Sequence, residues 1–98
     1  MESKLFTPVT FGPLTLRNRT IRSAAFESMC PGNAPSDMLL DYHRSVAAGG
    51  IGMTTVAYAA VTQSGLSFDR QLWMRPEIIP GLRRLTDAIH AEGAAAVS

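Results

Sequence analysis

The sequence predicts an α/β protein, an N-terminal hairpin followed by about three βα units on a parallel sheet. Apolar strand-like runs at 20–25, 51–57 and 94–98 alternate with helical periodicity at 37–48 and 80–92. Alternation of that kind implies a parallel sheet with helical crossovers. Ahead of these runs, Thr7 to Leu16 alternates apolar and polar residues on both sides of Gly12-Pro13, the pattern of a short hairpin turning at that pair.

After the hairpin, Asn18-Arg19 leads into a small-residue strand from Thr20 to Ala25, and Cys30 to Pro35, with two prolines, a glycine and an asparagine, is a loop. Ser36 is a good N-cap for the first helix, and Asp37 stands in its first turn, where the dipole favours an anion. Leu39, Tyr42, His43 and Val46 recur at helical spacing until Gly49-Gly50 stops them. Ile51 to Ala57 reads as a mostly buried strand, Thr62 to Gly65 as a loop, and Leu66 to Arg75 shows no period. Pro76 or Pro80 suits a helix N1 position, where a missing N–H costs nothing. Leu82, Leu85 and Ile89 then form one apolar stripe, with Arg83, Arg84, Asp87 and His90 mostly off it, and Gly93 is a C-terminal stop. Ala94 to Val97 begins another strand, and Ser98 is the last residue.

Three parallel strands with two helices do not make a comfortable free-standing domain, because parallel strands are covered on both faces. Two explanations stand at this point. Residues 1–98 are a partial barrel domain, stopping before the third-strand exit, of a (β/α)₈ chain that needs roughly 250 residues. Alternatively, a small α/β unit dimerises to cover its sheet, which makes a homo-oligomer possible.

Composition narrows the partners. Of 98 residues, 46% are apolar and only 17% charged, so much of the surface is expected to meet more protein. A net charge of +1 suggests neither a nucleic acid nor a membrane surface as partner. The single cysteine, Cys30, can form no internal disulfide and has no metal-ligand spacing around it, which fits a reduced, cytoplasmic setting. No secretory signal is visible, since Met1 to Leu5 carries a lone Lys4 and breaks at Pro8. The most hydrophobic stretch, Gly49 to Val61, is interrupted by Thr54, Thr55 and Tyr58 and is too short to span a bilayer.

Lys4-Leu5-Phe6-Thr7-Pro8 and then Gly12-Pro13-Leu14-Thr15-Leu16-Arg17-Asn18-Arg19 resemble the entry signature of the Old Yellow Enzyme family of NADH:flavin oxidoreductases, including its 2,4-dienoyl-CoA reductase-like and NADH oxidase-like members. The likeness continues through Gly49-Gly50-Ile51-Gly52-Met53 and the helix from Gly81-Leu82 to His90 and Gly93. It implies the N-terminal portion of a (β/α)₈ TIM barrel whose N-terminal end is closed by the hairpin. It also implies FMN at the C-terminal mouth, NAD(P)H as reductant, and a small-molecule acceptor such as an activated alkene. In such barrels the active site is built at the C-terminal ends of the strands.

By this resemblance Ser23, Ala24, Ala25 and Phe26, at the exit of the first barrel strand, lie along the flavin, where small residues admit a flat ring and backbone groups can bond its polar edge. Ala57, at the exit of the second, stands where the family carries a small residue beside the flavin. Read without the resemblance, the first segment is a tightly packed strand end and Ala57 a core alanine. The sequence departs from the proline and methionine that the family often shows where Ala24 and Ala25 stand, from the cysteine that some members carry where Phe26 stands, and from the acid that many carry where Val56 stands. The glutamine of the third exit, the histidine pair, the tyrosine proton donor and the phosphate-binding arginines that the resemblance implies are not among these residues. No catalytic residue and no metal ligand is therefore assigned. His43 and His90, within helices and remote from the exits, are expected to be structural or solvent-facing, and Glu27 to be solvated. Asp69, Arg70, Trp73 and Arg75 are expected to serve a loop contact.

The function implied is hydride transfer through reduced flavin to the acceptor. The alternative is a fragment or interaction module without turnover of its own. No Gly-rich phosphate cradle supports a third reading, a non-flavin barrel.

Overall fold

A computed structural model describes residues 3–98; Met1 and Glu2, the head of the segment read for a secretory signal, lie outside the described residues. In chain order the elements are β1 (Val9–Phe11), β2 (Leu14–Leu16), β3 (Ile21–Arg22), α1 (Asp37–Ala48), β4 (Met53–Thr55), β5 (Ala59–Ala60), β6 (Leu72–Trp73), α2 (Ile79–Ala91) and β7 (Ala95–Val97).

β1 and β2 pair antiparallel with Phe11 opposite Leu14, so Gly12-Pro13 is a two-residue turn, as expected. Gly12 has φ +55°, whereas the proline ring fixes a negative φ at the second position. Positive φ at the first turn residue alone belongs to type II′, whose twist matches that of the strands it joins.

The main sheet has the order β3-β4-β7, and both pairs are parallel. The adjacency expected from the sequence is present, but the strands are shorter than 20–25, 51–57 and 94–98. The β3–β4 register ends at Arg22 opposite Thr54. One residue past β4, the Val56 N–H donates to the Val97 carbonyl at 2.7 Å and continues the β4–β7 ladder, whereas β3 pairs no further than Arg22. β5 and β6 form a separate parallel pair, Ala59 opposite Leu72 and Ala60 opposite Trp73. Leu66 to Arg75, which shows no period in the sequence, thus contributes a strand, and two residues are too short to show alternation.

α1 begins as its cap predicts, with the Ser36 hydroxyl accepting the Leu39 N–H at 3.1 Å. Its inward face is Leu39, His43 and Ala47, while Tyr42, expected on the apolar stripe, is exposed. In α2, Pro80 takes the second helical position and Pro76 opens the short 3₁₀ turn before it; Leu85 and Ile89 are buried. The helices pack together on one face of the sheet around Leu39, Ala47, Val56, Leu72, Ile78, Leu85 and Ile89. The other face carries Ile21 and Val97, which remain 47% and 44% exposed.

The hairpin sits at the N-terminal end of the barrel strands. The Arg17 guanidinium donates to the carbonyls of Ile51, just ahead of β4, and of Glu92, just ahead of β7, and also to Ala47 at the end of α1. A cation thus meets the negative ends of both helices. Asn18, buried, donates to the Gly50 carbonyl at 2.6 Å and accepts from Thr20.

Candidate cofactor site at the strand exits

Past β3, Ser23 to Phe26 form neither helix nor strand and are exposed. The first three of these residues carry small side chains, so a flat surface meets little steric bulk there. Phe26 stacks on Phe68 and Tyr58, with ring centroids 4.6 and 5.7 Å apart. Ala57, by contrast, is buried, and together with Phe26, Tyr58 and Arg70 it borders one small hollow at the C-terminal end of the sheet. The structure therefore brings Phe26 and Ala57 together, while Ser23, Ala24 and Ala25 line the neighbouring exit.

The residue that joins the two exits is Glu27. It was expected to be solvated, yet its side chain is only 5% exposed. Its Oε1 accepts the Ala57 N–H at 3.1 Å. Its Oε2 lies 3.2 Å from the Arg22 guanidinium and 2.6 Å from His43 Nε2. Burial alone raises the Glu27 pKa; the hydrogen bonds from His43 and the Ala57 N–H, with the nearby charges of His43 and Arg22, outweigh it and hold the carboxyl below its ordinary value. An ionised carboxylate only accepts, so the proton between Oε2 and Nε2 belongs to the imidazole. His43 Nδ1 then pairs with the buried Thr54 hydroxyl at 2.8 Å, tying α1 to β4.

His43, expected to be structural or solvent-facing and remote from the exits, lies against the exit residue Glu27. It is fully buried in the same network, whereas His90 is exposed. The sequence signal for it was its place on the stripe with Leu39, one helical turn apart. Glu27 had no periodic signal at all, because it sits on an irregular segment where Ser28 adopts a left-handed φ of +54°. That conformation is uncommon for a residue other than glycine and turns the chain away directly after the carboxylate.

Arg75, placed with the loop contacts, lies over the Trp73 ring at 4.6 Å and donates to the Asn33 carbonyl at 2.8 Å. Cys30 is buried beside Glu27, and burial, with that charge adding to it, pushes its thiol up to about 11. Among the described residues no helix is long and apolar enough to cross a membrane, and no three His, Cys, Asp or Glu side chains gather as a metal site.

The fit to a flavin is partial and specific. Ser23 to Ala25 offer exposed backbone and small side chains to a ring edge, while the Ala57 N–H is already taken.

Comparison with known proteins bears on the family and the fold. The chain is 52% identical over 94 residues to a 4,4'-dithiodibutanoate disulfide reductase of Rhodococcus erythropolis, covering 96% of this chain and 23% of that protein. It is 36% identical to a metal reductase of Desulforamulus reducens, covering 98% of this chain and 14% of the relative. An NADPH dehydrogenase of Listeria monocytogenes is 34% identical, with 96% and 29% covered. The chain thus spans less than a third of the length of these relatives. Among solved structures, a 2-naphthoyl-CoA reductase in complex with 2-naphthoyl-CoA superposes with a TM-score of 0.90 at 28% identity, over 95% of this chain and 14% of that one. Morphinone reductase superposes with a TM-score of 0.86 at 22% identity, over 95% and 25%, a likeness of fold. The α/β architecture is that of the N-terminal part of an Old Yellow Enzyme barrel. Residues 4–97 match the NADH:flavin oxidoreductase / NADH oxidase family, and the chain belongs to it.

Proposed function

We propose that the protein is an FMN-dependent oxidoreductase that passes hydride from NAD(P)H, through the flavin, to an activated alkene or related small-molecule acceptor. The observation that carries this is the exposed run Ser23 to Ala25, small in side chain and free of ladder pairing, at the C-terminal end of the sheet beside Phe26. When bound, FMN supplies a ring that takes hydride from a nicotinamide and gives it up to an acceptor. Ser23, Ala24 and Ala25 hold the ring edge through their backbone, and Phe26 and Ala57 bound the space beside it. The relatives' names support the reductive class and differ in acceptor: a disulfide, a metal and a coenzyme A thioester.

The test is to express the full coding sequence, identify the bound cofactor by absorbance and mass, and follow NADH and NADPH oxidation with cyclohexenone and with 4,4'-dithiodibutanoate. Bound FMN with acceptor-dependent oxidation is the expected result, and a colourless protein that takes up no FMN would sink the reading.

A second reading concerns residues 1–98 alone, and the exposed sheet face with Ile21 and Val97 favours it. Parallel sheets are covered on both faces. By itself this stretch holds FMN weakly and turns nothing over. Flavin fluorescence quenching on adding FMN to the 98-residue chain measures that directly, and tight stoichiometric binding would contradict it.

A further inference from the structure

We infer that Glu27 is a positioning residue that locks the two strand exits together and sets the electric field beneath the flavin; this rests on the FMN reading above. The lock is in the distances. From the segment after β3, Glu27 takes the Ala57 N–H at 3.1 Å, so the exit of β4 is held by a protein carboxylate and not by a ligand. Its other oxygen is fixed by Arg22 on β3 at 3.2 Å and by His43 on α1 at 2.6 Å. Beyond those contacts, neither Glu27 Oε2 nor His43 Nε2 meets another hydrogen-bonding group among the described residues. Phe26, next in sequence, is thereby anchored where it stacks on Phe68 and Tyr58.

Stability is a weak reason for such a group. Removing charges from water is costly, and a buried ion pair is often replaced by apolar residues with no loss. Glu27 itself borders the hollow at the exits together with Phe26 and Ala57, and its carboxylate holds the Ala57 N–H. A negative charge there disfavours electrons arriving on the flavin, and the Arg22 cation opposes it.

The field assigns opposite signs to two substitutions, which packing does not. In the protein expressed from its full coding sequence and isolated with its flavin, E27Q keeps an acceptor for the Ala57 N–H but loses the charge. It should favour reduced over oxidised flavin roughly tenfold, a rise of about 30 mV for a two-electron couple. R22M removes the opposing cation and should move the midpoint potential down. Both variants lower the melting temperature, so that readout does not discriminate. Shifts of opposite sign support the inference, and unmoved or same-sign potentials in flavin-loaded variants overturn it. If E27Q fails to fold, R22M decides alone, a downward shift in support and an unchanged potential against. Absence of FMN from the wild-type protein is a different failure, that of the functional reading itself.

Discussion

Glu27 Oε1 accepts the Ala57 N–H at 3.1 Å, so a side chain from the exit of β3 closes the exit of β4. The Glu27 carboxyl is held below its ordinary value of 4.5. A depressed folded value means that its contribution to stability is present above the unfolded value and lost as pH falls through the folded one. Urea midpoints of wild type and E27Q between about pH 3 and pH 7 should therefore differ most near neutrality and converge in acid. A pH-independent difference would contradict the assignment. E27A, which strands Arg22 and His43, should cost about 3–5 kcal/mol.

Arg17 is the fastening at the opposite end. Its guanidinium meets the Ala47, Ile51 and Glu92 carbonyls, and among the described residues no other cation donates to them. R17M should destabilise by about 2 kcal/mol, allowing for partial exposure. R17K keeps the charge but not the fork, so it should recover only part of that loss in a denaturation curve.

Gly52 is a glycine because three oxygens crowd it. A Cβ there would stand 2.6 Å from the Asn18 carbonyl, 2.7 Å from Asn18 Oδ1 and 2.9 Å from the Thr20 carbonyl. Two of these are backbone, so the strand itself must shift. G52A should cost about 3 kcal/mol, read as a fall in melting temperature, while N18A in the same background relieves only the Oδ1 clash.

Cys30 should be inert in the folded protein. With its thiol pushed up to about 11 and the residue buried, thiolate at pH 8 is on the order of one part in a thousand. Ellman's reagent should react at the rate of global unfolding, and prompt native reaction would refute this.

The sequence made the hairpin, the order of the barrel strands and both helices legible, because each rests on local periodicity with a recognisable stop, such as Ser36 ahead of α1 or Gly12-Pro13 between β1 and β2. It also marked the exits at Phe26 and Ala57. It did not reveal how those exits are joined. Glu27 lies in an irregular segment, and its partners Arg22 on β3, His43 on α1 and Ala57 past β4 are far apart in sequence, so nothing in the spacing along the chain brings them together. The β5–β6 pair escaped for a related reason, being two residues long and stabilised by a partner more than ten positions away.

The bond from Arg17 to the Glu92 carbonyl spans 75 residues, which has a consequence during synthesis. The hairpin is made before its fastening points, and the last of Arg17's carbonyl partners is not reached until the end of α2 has been made. At ~5–20 residues per second that interval is about 4–15 s. For that time the segment carrying Phe6 and Phe11, which stay 71% and 54% exposed even in the folded chain, is open to any chaperone that recognises nascent aromatic residues. The hairpin is thus made well before the last of its fastenings, and a pause after α2 would lengthen its exposure no further.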